Sequence, residues 1–344
     1  MMTAPTSAFP QWDGLTVVVV GLDRAGLASA DALIERGATV TVIDAAASDV
    51  SRDRAKLLAV LGAEVVAGDP DASLPACDLV VATAWNPAAA VYRQAHDQGI
   101  PVWSELQLAH QLAPDESARW LGVTGPGSTE AVAALAAILR AGGLTATSAG
   151  GDGRPIIEVL LDGVAYDGVA LDLSGQQLHW SDGLGLAAAA VLGTAPVPPW
   201  YDQPAWAGDA AAAYRADLGR IFDQAVTACL YNVADPATEQ LVEQADVVEG
   251  ARAIGLTTGI PAVSMLGVVD DLLVDRAFVA QRQSSALELV AAGDLGLGEP
   301  TPERLMARLA AAGLARAFGL PARAVRDGLR RQPVDPATNL GVES

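Results

Sequence analysis

A glycine-containing segment in the middle of the chain has the position of a phosphate-binding loop. It follows an apolar run at 119–124 that is typical of a buried strand, and it precedes a helical pattern at 129–141. The residues that would approach a phosphate are Gly125, Gly127, Ser128 and Thr129. A working loop of this kind has the pattern G-x-x-x-x-G-K-[ST], in which backbone amides surround the phosphates and the lysine contacts them. Neither that spacing nor that lysine is present, because Lys56 is the only lysine of the chain.

The residues around this loop favour a structural role for it. Glu130, in the first turn of the helix, complements the positive end of the helix dipole and would repel a bound triphosphate. The hydroxyl of Ser128 or Thr129 is expected to cap the helix. The pattern therefore predicts a degenerate ATP loop.

A second glycine loop follows the apolar run LTVVVV at 15–20. Dinucleotide sites place G-x-G-x-x-G at this point, and the middle glycine lets the backbone approach a pyrophosphate. Here Gly21 and Gly26 are present, but Asp23 occupies the middle position, where its charge would face the phosphates. We therefore expect the two glycines to form a tight turn, and a dehydrogenase that uses NAD is disfavoured. Asp44, which ends the next strand, completes this degenerate nucleotide loop.

The remaining side chains with chemical potential are scattered. The chain has three isolated histidines, which are His96, His110 and His179. A proline-rich segment at 194–206 carries three aromatic residues, which are Trp200, Tyr201 and Trp206. Two interpretations of these aromatic residues stay open at this point. They form an exposed patch for a protein partner, or they fold down over the neighbouring sheet.

The charge of the chain limits what it can bind. It has 21 Lys+Arg against 41 Asp+Glu, which gives a formal net charge of −20. Such a surface repels nucleic-acid phosphates and anionic membranes. Cys77 and Cys229 are too few and too far apart to predict a disulfide framework or a zinc site. Residues 1–11 lack the pattern of a signal peptide, and no uninterrupted apolar run reaches the roughly 20 residues of a membrane span. We predict a cytoplasmic protein that binds no nucleic acid and does not insert into membranes.

The periodicity predicts an α/β protein with two domains. Strand patterns at 15–20, 39–43, 78–82 and 100–103 alternate with helical patterns, as in a doubly wound parallel sheet. This alternation predicts a Rossmann-like N-terminal domain over 1–115. A P-loop-like central α/β domain is expected over 116–332, followed by a polar tail at 333–344.

Local patterns within the central domain predict several individual elements. Residues 145–154 are expected to form a loop, and residues 174–180 a strand or turn. Two helices are expected near the end, at 302–318 and 321–331.

Several segments, in their order along the chain, carry a resemblance to a known family. They are GIPVWSELQLAHQL at 99–112, LGVTG at 121–125, LDLSGQQLHW at 171–180, YRADLGRIF at 214–222 and the turn from Asn232 to Asp235. Together they make the chain resemble the Mur ligases of peptidoglycan synthesis.

This resemblance implies a fold and a chemistry. Mur ligases have three domains, of which the first holds a UDP-sugar, the second holds ATP, and the third helps to bind ATP and the incoming amino acid. They activate a carboxylate as an acyl phosphate, which an amine then attacks. The positions that match retained family motifs are Asp172, Ser174, Gln177, Arg220, Asn232 and Asp235. Asp172 stands where the family has a metal-binding glutamate, and it is the one metal-ligand candidate.

The same resemblance exposes departures at functional positions. The loop lysine is missing, a histidine-containing metal segment falls at 194–203 without its histidine, and a carbamylated lysine falls at Leu218. The pair that contacts adenine falls near Pro302 and Glu303. Residues that contact uridine in the family correspond to Ala45 and Ala46, and the chain stops where a third domain would begin.

These departures lead to a functional hypothesis with alternatives. The leading interpretation is a catalytically inactive homologue that holds no cofactor and acts as an interaction or regulatory protein. Its partner would be a protein of a cell-wall assembly, for example an active ligase. The first alternative is an ATP- and Mg-dependent acid–amino-acid ligase of this family whose third domain is supplied by another chain. The second alternative is a small-molecule sensor.

Overall fold

The computed structural model describes residues 11–45, 48–69, 72–83, 90–113, 119–202, 208–295 and 301–330. The expected domain boundary at 115–116 and the polar tail at 333–344 lie outside these residues, and so do Ala46 and Trp206.

The N-terminal domain contains a five-stranded parallel sheet with the order β3-β2-β1-β4-β5. Its strands are β1 (Thr16–Val20), β2 (Thr39–Asp44), β3 (Glu64–Ala67), β4 (Leu79–Ala82) and β5 (Val102–Ser104). Its helices are α1 (Arg24–Ile34), α2 (Asp49–Leu61), α3 (Ala90–Gln98) and α4 (Glu105–Leu112). The valines of β1 are buried on both faces because helices cover both sides of the sheet. This order is the doubly wound arrangement that the alternation of patterns predicts.

The central domain contains a nine-stranded sheet with the order β14-β13-β12-β11-β10-β9-β6-β8-β7. Its parallel part consists of β6 (Arg119–Thr124), β7 (Ala146–Gly150), β8 (Gly168–Asp172), β9 (Ala188–Val191), β10 (Ala228–Asn232), β11 (Arg252–Leu256) and β12 (Met265–Val269). Two antiparallel strands, β13 (Leu272–Asp275) and β14 (Leu287–Ala291), extend it at one edge.

The helices of the central domain lie on both faces of this sheet. They are α5 (Ser128–Ala141), α6 (Ile156–Leu161), α7 (Gly175–His179), α8 (Ala210–Gly219), α9 (Pro236–Gln244), α10 (Pro302–Phe318) and α11 (Ala322–Arg330). The alanine-rich middle of α10 is fully buried in the same core as α5. Small side chains let α10 approach the sheet closely, since a Cβ added at Gly313 would lie 2.6 Å from Leu230 Cδ2.

Two local expectations are wrong. Residues 146–150 form the edge strand β7 instead of a loop, because their backbone pairs with β8 despite the glycines that follow. Residues 175–179 form a short helix instead of a strand or turn. Ser174 and Gln177 build a capping box there, in which each side chain bonds to the other residue's backbone amide.

The two sheets meet along helices α1, α4, α6 and α7. The carboxyl ends of the paired strands β6 and β8 lie close to this junction. The loop after β7 contacts Asp172 at the end of β8 and also lines the cleft between the two domains. Among the helices of the described residues, none combines the length and apolar character that a bilayer crossing requires.

Candidate functional site

The glycine loop after β6 lies where the phosphate-loop pattern placed it. Gly125 and Gly127 have φ angles of +96° and +80°, which β-carbon-bearing residues rarely adopt. Helix α5 starts at Ser128, and its N-cap residue is Gly127, which has no side chain to cap the helix. The expectation that Ser128 or Thr129 caps α5 is therefore wrong. The first amides of α5 point out of the helix with no side-chain cap, as in an anion-binding helix terminus.

The hydroxyl of Thr129 instead bonds to a carboxylate on the neighbouring strand. Thr129 Oγ1 donates to Asp172 Oδ2 over 2.6 Å, and Asp172 is 8% exposed at the end of β8. The loop after β7 lies against the same carboxylate, since a Cβ added at Gly151 would lie 2.6 Å from Asp172 Oδ2. This arrangement brings together two candidate residues from separate sequence motifs.

A third retained motif lies on the other side of the glycine loop. Asp235 Oδ2 accepts hydrogen bonds from Thr194 N (2.8 Å) and Thr194 Oγ1 (2.9 Å). Asn232 Nδ2 donates to the Leu192 carbonyl over 2.8 Å. The segment after β9 in turn contacts the loop, because a Cβ added at Gly125 would lie 2.8 Å from the carbonyl oxygen of Gly193. The turn from Asn232 to Asp235 therefore supports the loop through the residues that follow β9.

Helix α10 covers the glycine loop and brings charges to it. Glu130, in the first turn of α5, forms ion pairs with Arg304 (3.3 Å) and Arg308 (3.0 Å) of α10. The same face of α10 contacts Gly127, since a Cβ there would lie 3.5 Å from Glu303 Cγ and 3.7 Å from Ala307 Cβ. Neither arginine stands out in the sequence. Their spacing of four residues, which places them on one helix face, is the signal that the sequence offers.

A cleft of about 370 Å³ lies between the two domains. The central domain contributes Ser174, Gln176, Gln177 and the loop from Gly150 to Gly153, and the N-terminal domain contributes Asp23, Arg24, Thr83 and Glu105. Ser174 and Gln177 also hold each other in the capping box of α7. The retained motif at 171–177 thus links the cleft at one end to Asp172 at the other.

Glu105 is a buried carboxyl group at this junction. Its Oε1 accepts a hydrogen bond from Ile157 N over 2.8 Å, at the start of α6. Burial raises the pKa of Glu105 to about 7, although the amides of Ile157 and Ile156 and the Gln177 side chain oppose the shift and Asp23 adds to it. Glu105 did not stand out in the sequence, because its burial depends on contact between the two domains.

The N-terminal glycine loop is filled by its own residues. Asp23 caps α1, because its Oδ1 accepts a hydrogen bond from Gly26 N over 2.7 Å. A Cβ at Gly26 would lie 2.0 Å from the Gly21 carbonyl oxygen, so only glycine fits there. Asp44 Oδ2 accepts from Leu22 N over 3.0 Å and holds the loop against β2.

The region around Leu218, where the resemblance places a carbamylated lysine, contains a buried polar network. Leu218 is fully buried, and the neighbouring Asp217 accepts a hydrogen bond from Tyr201 Oη over 2.6 Å. His179 Nδ1 lies 2.9 Å from Asp217 Oδ1, and the Nε of Arg220 lies 3.8 Å from the same oxygen. Tyr201 is 1% exposed, so it packs down over the sheet and does not belong to an exposed aromatic patch.

Arg220 belongs to this network and does not reach the glycine loop. Its Nη1 donates to the Ser181 carbonyl over 3.3 Å. Within the part of the chain that the structure describes, there is no group of three or more His, Cys, Asp or Glu residues that could hold a metal ion.

Three relatives in the curated proteins share one name, UDP-N-acetylmuramoylalanine–D-glutamate ligase. The relative from Streptomyces avermitilis is 45% identical, and the match covers 93% of this chain and 67% of the relative. The relative from Streptomyces coelicolor is 44% identical, with the same coverage of 93% and 67%. The relative from Leifsonia xyli is 38% identical over 95% of this chain and 66% of its own length. The chain thus spans about two thirds of the length of these relatives.

Solved structures show the same fold at low sequence identity. The UDP-N-acetylmuramate:L-alanyl-gamma-D-glutamyl-meso-diaminopimelate ligase of Neisseria meningitides superposes with a TM-score of 0.54 at 12% identity, covering 92% of this chain and 97% of that chain. Residues 8–105 also match a family described as "Putative NAD(P)-binding". That match fits the Rossmann-like topology of the N-terminal sheet.

The interpretation of the chain as a catalytically inactive interaction protein is wrong. Relatives with 38–45% identity over more than nine tenths of the chain are named as ligases. It rests on side chains that are missing within each motif, whereas the fold also brings distant charged groups to these motifs, such as Arg304 and Arg308 near the start of α5. With these relatives and this fold, the chain belongs to the Mur ligase family, in the branch of the UDP-N-acetylmuramoylalanine–D-glutamate ligases.

Proposed function

We propose that this chain provides the N-terminal and central domains of an ATP-dependent ligase that joins D-glutamate to UDP-N-acetylmuramoylalanine. One observation carries the proposal beyond the names of the relatives. The Thr129 hydroxyl and the Asp172 carboxylate lie 2.6 Å apart beside the uncapped first turn of α5. In phosphate-loop enzymes a loop Ser or Thr and a strand-end carboxylate hold the Mg²⁺ that accompanies the nucleotide.

The chemistry of these two groups fits a magnesium ion. Mg²⁺ prefers oxygen ligands and is often held by one or two carboxylates together with substrate phosphates and water. Thr129 and Asp172 offer such oxygens. Bound there with ATP, the ion would neutralise charge on the transferred phosphoryl group. The amides of the glycine loop and of the first turn of α5 would orient the phosphates.

The cleft between the domains suits the second substrate. Its wall runs from Ser174 and Gln177 to the loop after β7, and Gly151 of that loop lies against Asp172. A UDP-linked substrate in the cleft would thus hold its carboxylate next to the phosphoryl-transfer site. Such positioning converts a reaction between two molecules into one within a complex, which is a large part of the rate enhancement of phosphoryl transfer. The D-glutamate amine would then attack the activated carbonyl group.

A substrate-dependence assay tests this proposal. The purified chain, together with a separately produced third domain of one of the relatives, is incubated with Mg-ATP, UDP-N-acetylmuramoylalanine and D-glutamate, and ADP and the ligation product are both measured. We expect ADP formation that requires the UDP-linked substrate, and a product that forms with D-glutamate and not with L-glutamate. Scrambling of an oxygen-18 label within ATP would report the first half-reaction in the absence of D-glutamate. The proposal fails if neither ADP formation nor scrambling depends on the UDP-linked substrate at millimolar concentrations.

A further inference from the structure

Helix α10 presents one continuous face to the glycine loop and to the start of α5. Glu303 and Ala307 of this face pack against Gly127, as described above. Arg304 and Arg308, each one residue further along, contact Glu130 in the first turn of α5. Residues four apart on a helix lie on the same side, so both guanidinium groups reach the same end of α5.

The contact between these arginines and Glu130 leaves one donor of Arg308 unused. Glu130 meets both guanidinium groups, at 3.3 Å for Arg304 and 3.0 Å for Arg308. Arg308 is 3% exposed, and its Nε is a buried donor with no hydrogen-bond partner. Buried donors nearly always have a partner, and an unsatisfied one raises the free energy of the folded state. The cluster can therefore accept a further anionic group.

The neighbouring charges of the described residues act on the Arg308 guanidinium in opposite directions. Glu303 is exposed to solvent, where its charge is screened. Burial lowers the pKa of the Arg308 guanidinium, and the like charge of Arg304 lowers it further, whereas Glu130 raises it. The two arginines thus repel each other, and an additional anion between them would relieve that repulsion.

We propose that Arg304 and Arg308 supply the positive charge for the terminal phosphates of the nucleotide in place of a loop lysine, and that Glu130 competes with these phosphates for both guanidinium groups. This inference rests on the proposed nucleotide-dependent function. Arginine suits the role because its planar group can donate two parallel hydrogen bonds to a phosphate. The side chain of Arg304 is 42% exposed, so it can turn from Glu130 to a phosphate, while Arg308 stays fixed by burial.

Opposite changes in phosphate affinity test the inference. Dissociation constants for Mg-ATP, inorganic tripolyphosphate and adenosine are measured by calorimetry on the wild type and on the Arg304→Gln and Glu130→Gln variants. We expect Arg304→Gln to weaken the binding of Mg-ATP and tripolyphosphate about tenfold, the lower end for a hydrogen bond to a charged group. Glu130→Gln should tighten both about fivefold, because it removes the competitor. Adenosine binding should not change.

A matched pair of controls separates local from general charge effects. Arg330 Nη2, at the end of α11, lies 2.6 Å from Oδ2 of Asp294, which belongs to the turn after β14. Arg330→Gln and Asp294→Asn make the same changes of charge, and each should leave all three dissociation constants within about twofold of the wild type because exposed charges are screened. For the buried position, Arg308→Lys keeps the charge and should retain most of the affinity, while a folded Arg308→Gln should bind less tightly than Arg304→Gln.

Several outcomes would overturn the inference. It falls if Arg304→Gln and Glu130→Gln leave phosphate affinity unchanged, if both weaken it along with a lower melting temperature, or if the wild type binds neither Mg-ATP nor tripolyphosphate. The ligase assay gives a separate answer. Ligation with a KM for ATP that Arg304→Gln does not change would overturn this inference and leave the proposed function intact. Arginine-dependent phosphate binding without ligation would do the reverse.

Discussion

The two glycine loops of this protein begin alike and end differently. Both connect a buried parallel strand to a helix, β1 to α1 in the first case and β6 to α5 in the second. In the first loop the Asp23 side chain caps α1 and accepts from Gly26 N. In the second loop Gly127 occupies the N-cap and offers no side chain to the helix. A side chain at the start of α1 therefore accepts a hydrogen bond from the first turn of that helix. The first turn of α5 has no such side-chain cap, so its amides can bind another group.

The surroundings of the two loops follow the same division. Asp44 beside the first loop accepts a hydrogen bond from the backbone amide of Leu22 in that loop. Asp172 beside the second loop accepts a hydrogen bond from the side-chain hydroxyl of Thr129, and both oxygens are of the kind that a metal ion can bind. A strand–glycine–helix pattern therefore does not by itself mark a phosphate site. What distinguishes the second loop is the set of groups that other elements bring to it.

The largest expected effect comes from exchanging the carboxylate beside each loop. Asp172→Asn keeps the shape of the side chain and can still accept from Thr129, but it removes the charge that a metal ion needs. We expect kcat of ligation to fall roughly 10²–10³-fold, as when one preorganised group is removed from an active site. Asp44→Asn should change kcat less than about threefold, because Asp44 accepts a hydrogen bond from the first loop, away from Thr129 and Asp172.

Steady-state kinetics of both variants, with thermal melting as a check of folding, measure this contrast. Equal losses of kcat in the two variants would contradict the division between the loops. A loss in Asp172→Asn that a higher Mg²⁺ concentration partly restores would sharpen it, since the variant should then bind the metal ion less tightly.

The second prediction concerns helix α6, whose first turn donates a backbone hydrogen bond to a carboxyl group of the other domain. Helix α6 has Pro155 as its N-cap, and Glu105 of the other domain accepts the Ile157 amide. The pKa of Glu105 rises to about 7 in the folded protein, above its ordinary value of 4.5. The folded state thus binds more protons than the unfolded state between these values. The free energy of unfolding should fall as the pH rises from about 4.5 to about 7, by up to about 3 kcal/mol, and change little above.

Glu105→Gln tests this expectation by removing the titrating group. Chemical denaturation between pH 4.5 and 8 should show a flatter profile for the variant and a higher stability than the wild type above pH 7. Part of the slope should remain, because burial also raises the pKa of Asp223 to about 6, against the nearby Arg220 charge. Asp223→Asn is the control, since it should remove only the part of the slope that ends near pH 6. An unchanged slope in Glu105→Gln would contradict the role of this carboxyl group.

The third prediction uses the caps themselves. Asp23→Ala removes the N-cap of α1 and should lower the free energy of unfolding by about 1 kcal/mol, the usual cost of a lost cap. Ser128→Ala at the first position of α5 should change it by less than about 0.5 kcal/mol, because Ser128 caps nothing. Urea titrations of both variants measure the difference. A larger loss in Ser128→Ala than in Asp23→Ala would reverse the comparison.

Much of the fold follows from local patterns in the sequence. The predicted helix at 302–318 coincides with α10, and the strand patterns of the first domain all form strands of its sheet. β7 was missed because its ATSAG sequence has few of the bulky apolar residues that mark a strand. This edge strand forms without many bulky apolar residues because its backbone is held by hydrogen bonds to its one neighbour, β8. α7 was missed because five residues are too few to show a helical period.

The candidate site was less accessible from the sequence. Thr129 and Asp172 are both candidates from the sequence, but their contact depends on the strand order. β8 lies directly beside β6, and β7, which comes between them in the sequence, is the edge strand. Arg304 lies 174 residues from Glu130 along the chain, and no local pattern predicts that distance to close. Motif comparison therefore registers the missing lysine and cannot register the arginines that the fold brings to the same loop.

The smallest expected effect belongs to an ion pair between the two domains, which joins α1 after the first glycine loop to α6 of the central domain. Arg24 at the start of α1 donates to both carboxylate oxygens of Glu158 on α6, over 2.7 Å and 2.6 Å. The Arg24 side chain is 50% exposed, so solvent screens the pair, and Arg154 also lies near Glu158 at 3.8 Å. A double-mutant cycle with Arg24→Gln and Glu158→Gln should give a coupling energy of about 0.5 kcal/mol that decreases with added salt. A coupling above about 1.5 kcal/mol that persists at high salt would show that the first loop helps to fix the domain arrangement. The division would then be between a loop that positions the two domains and a loop that faces the nucleotide.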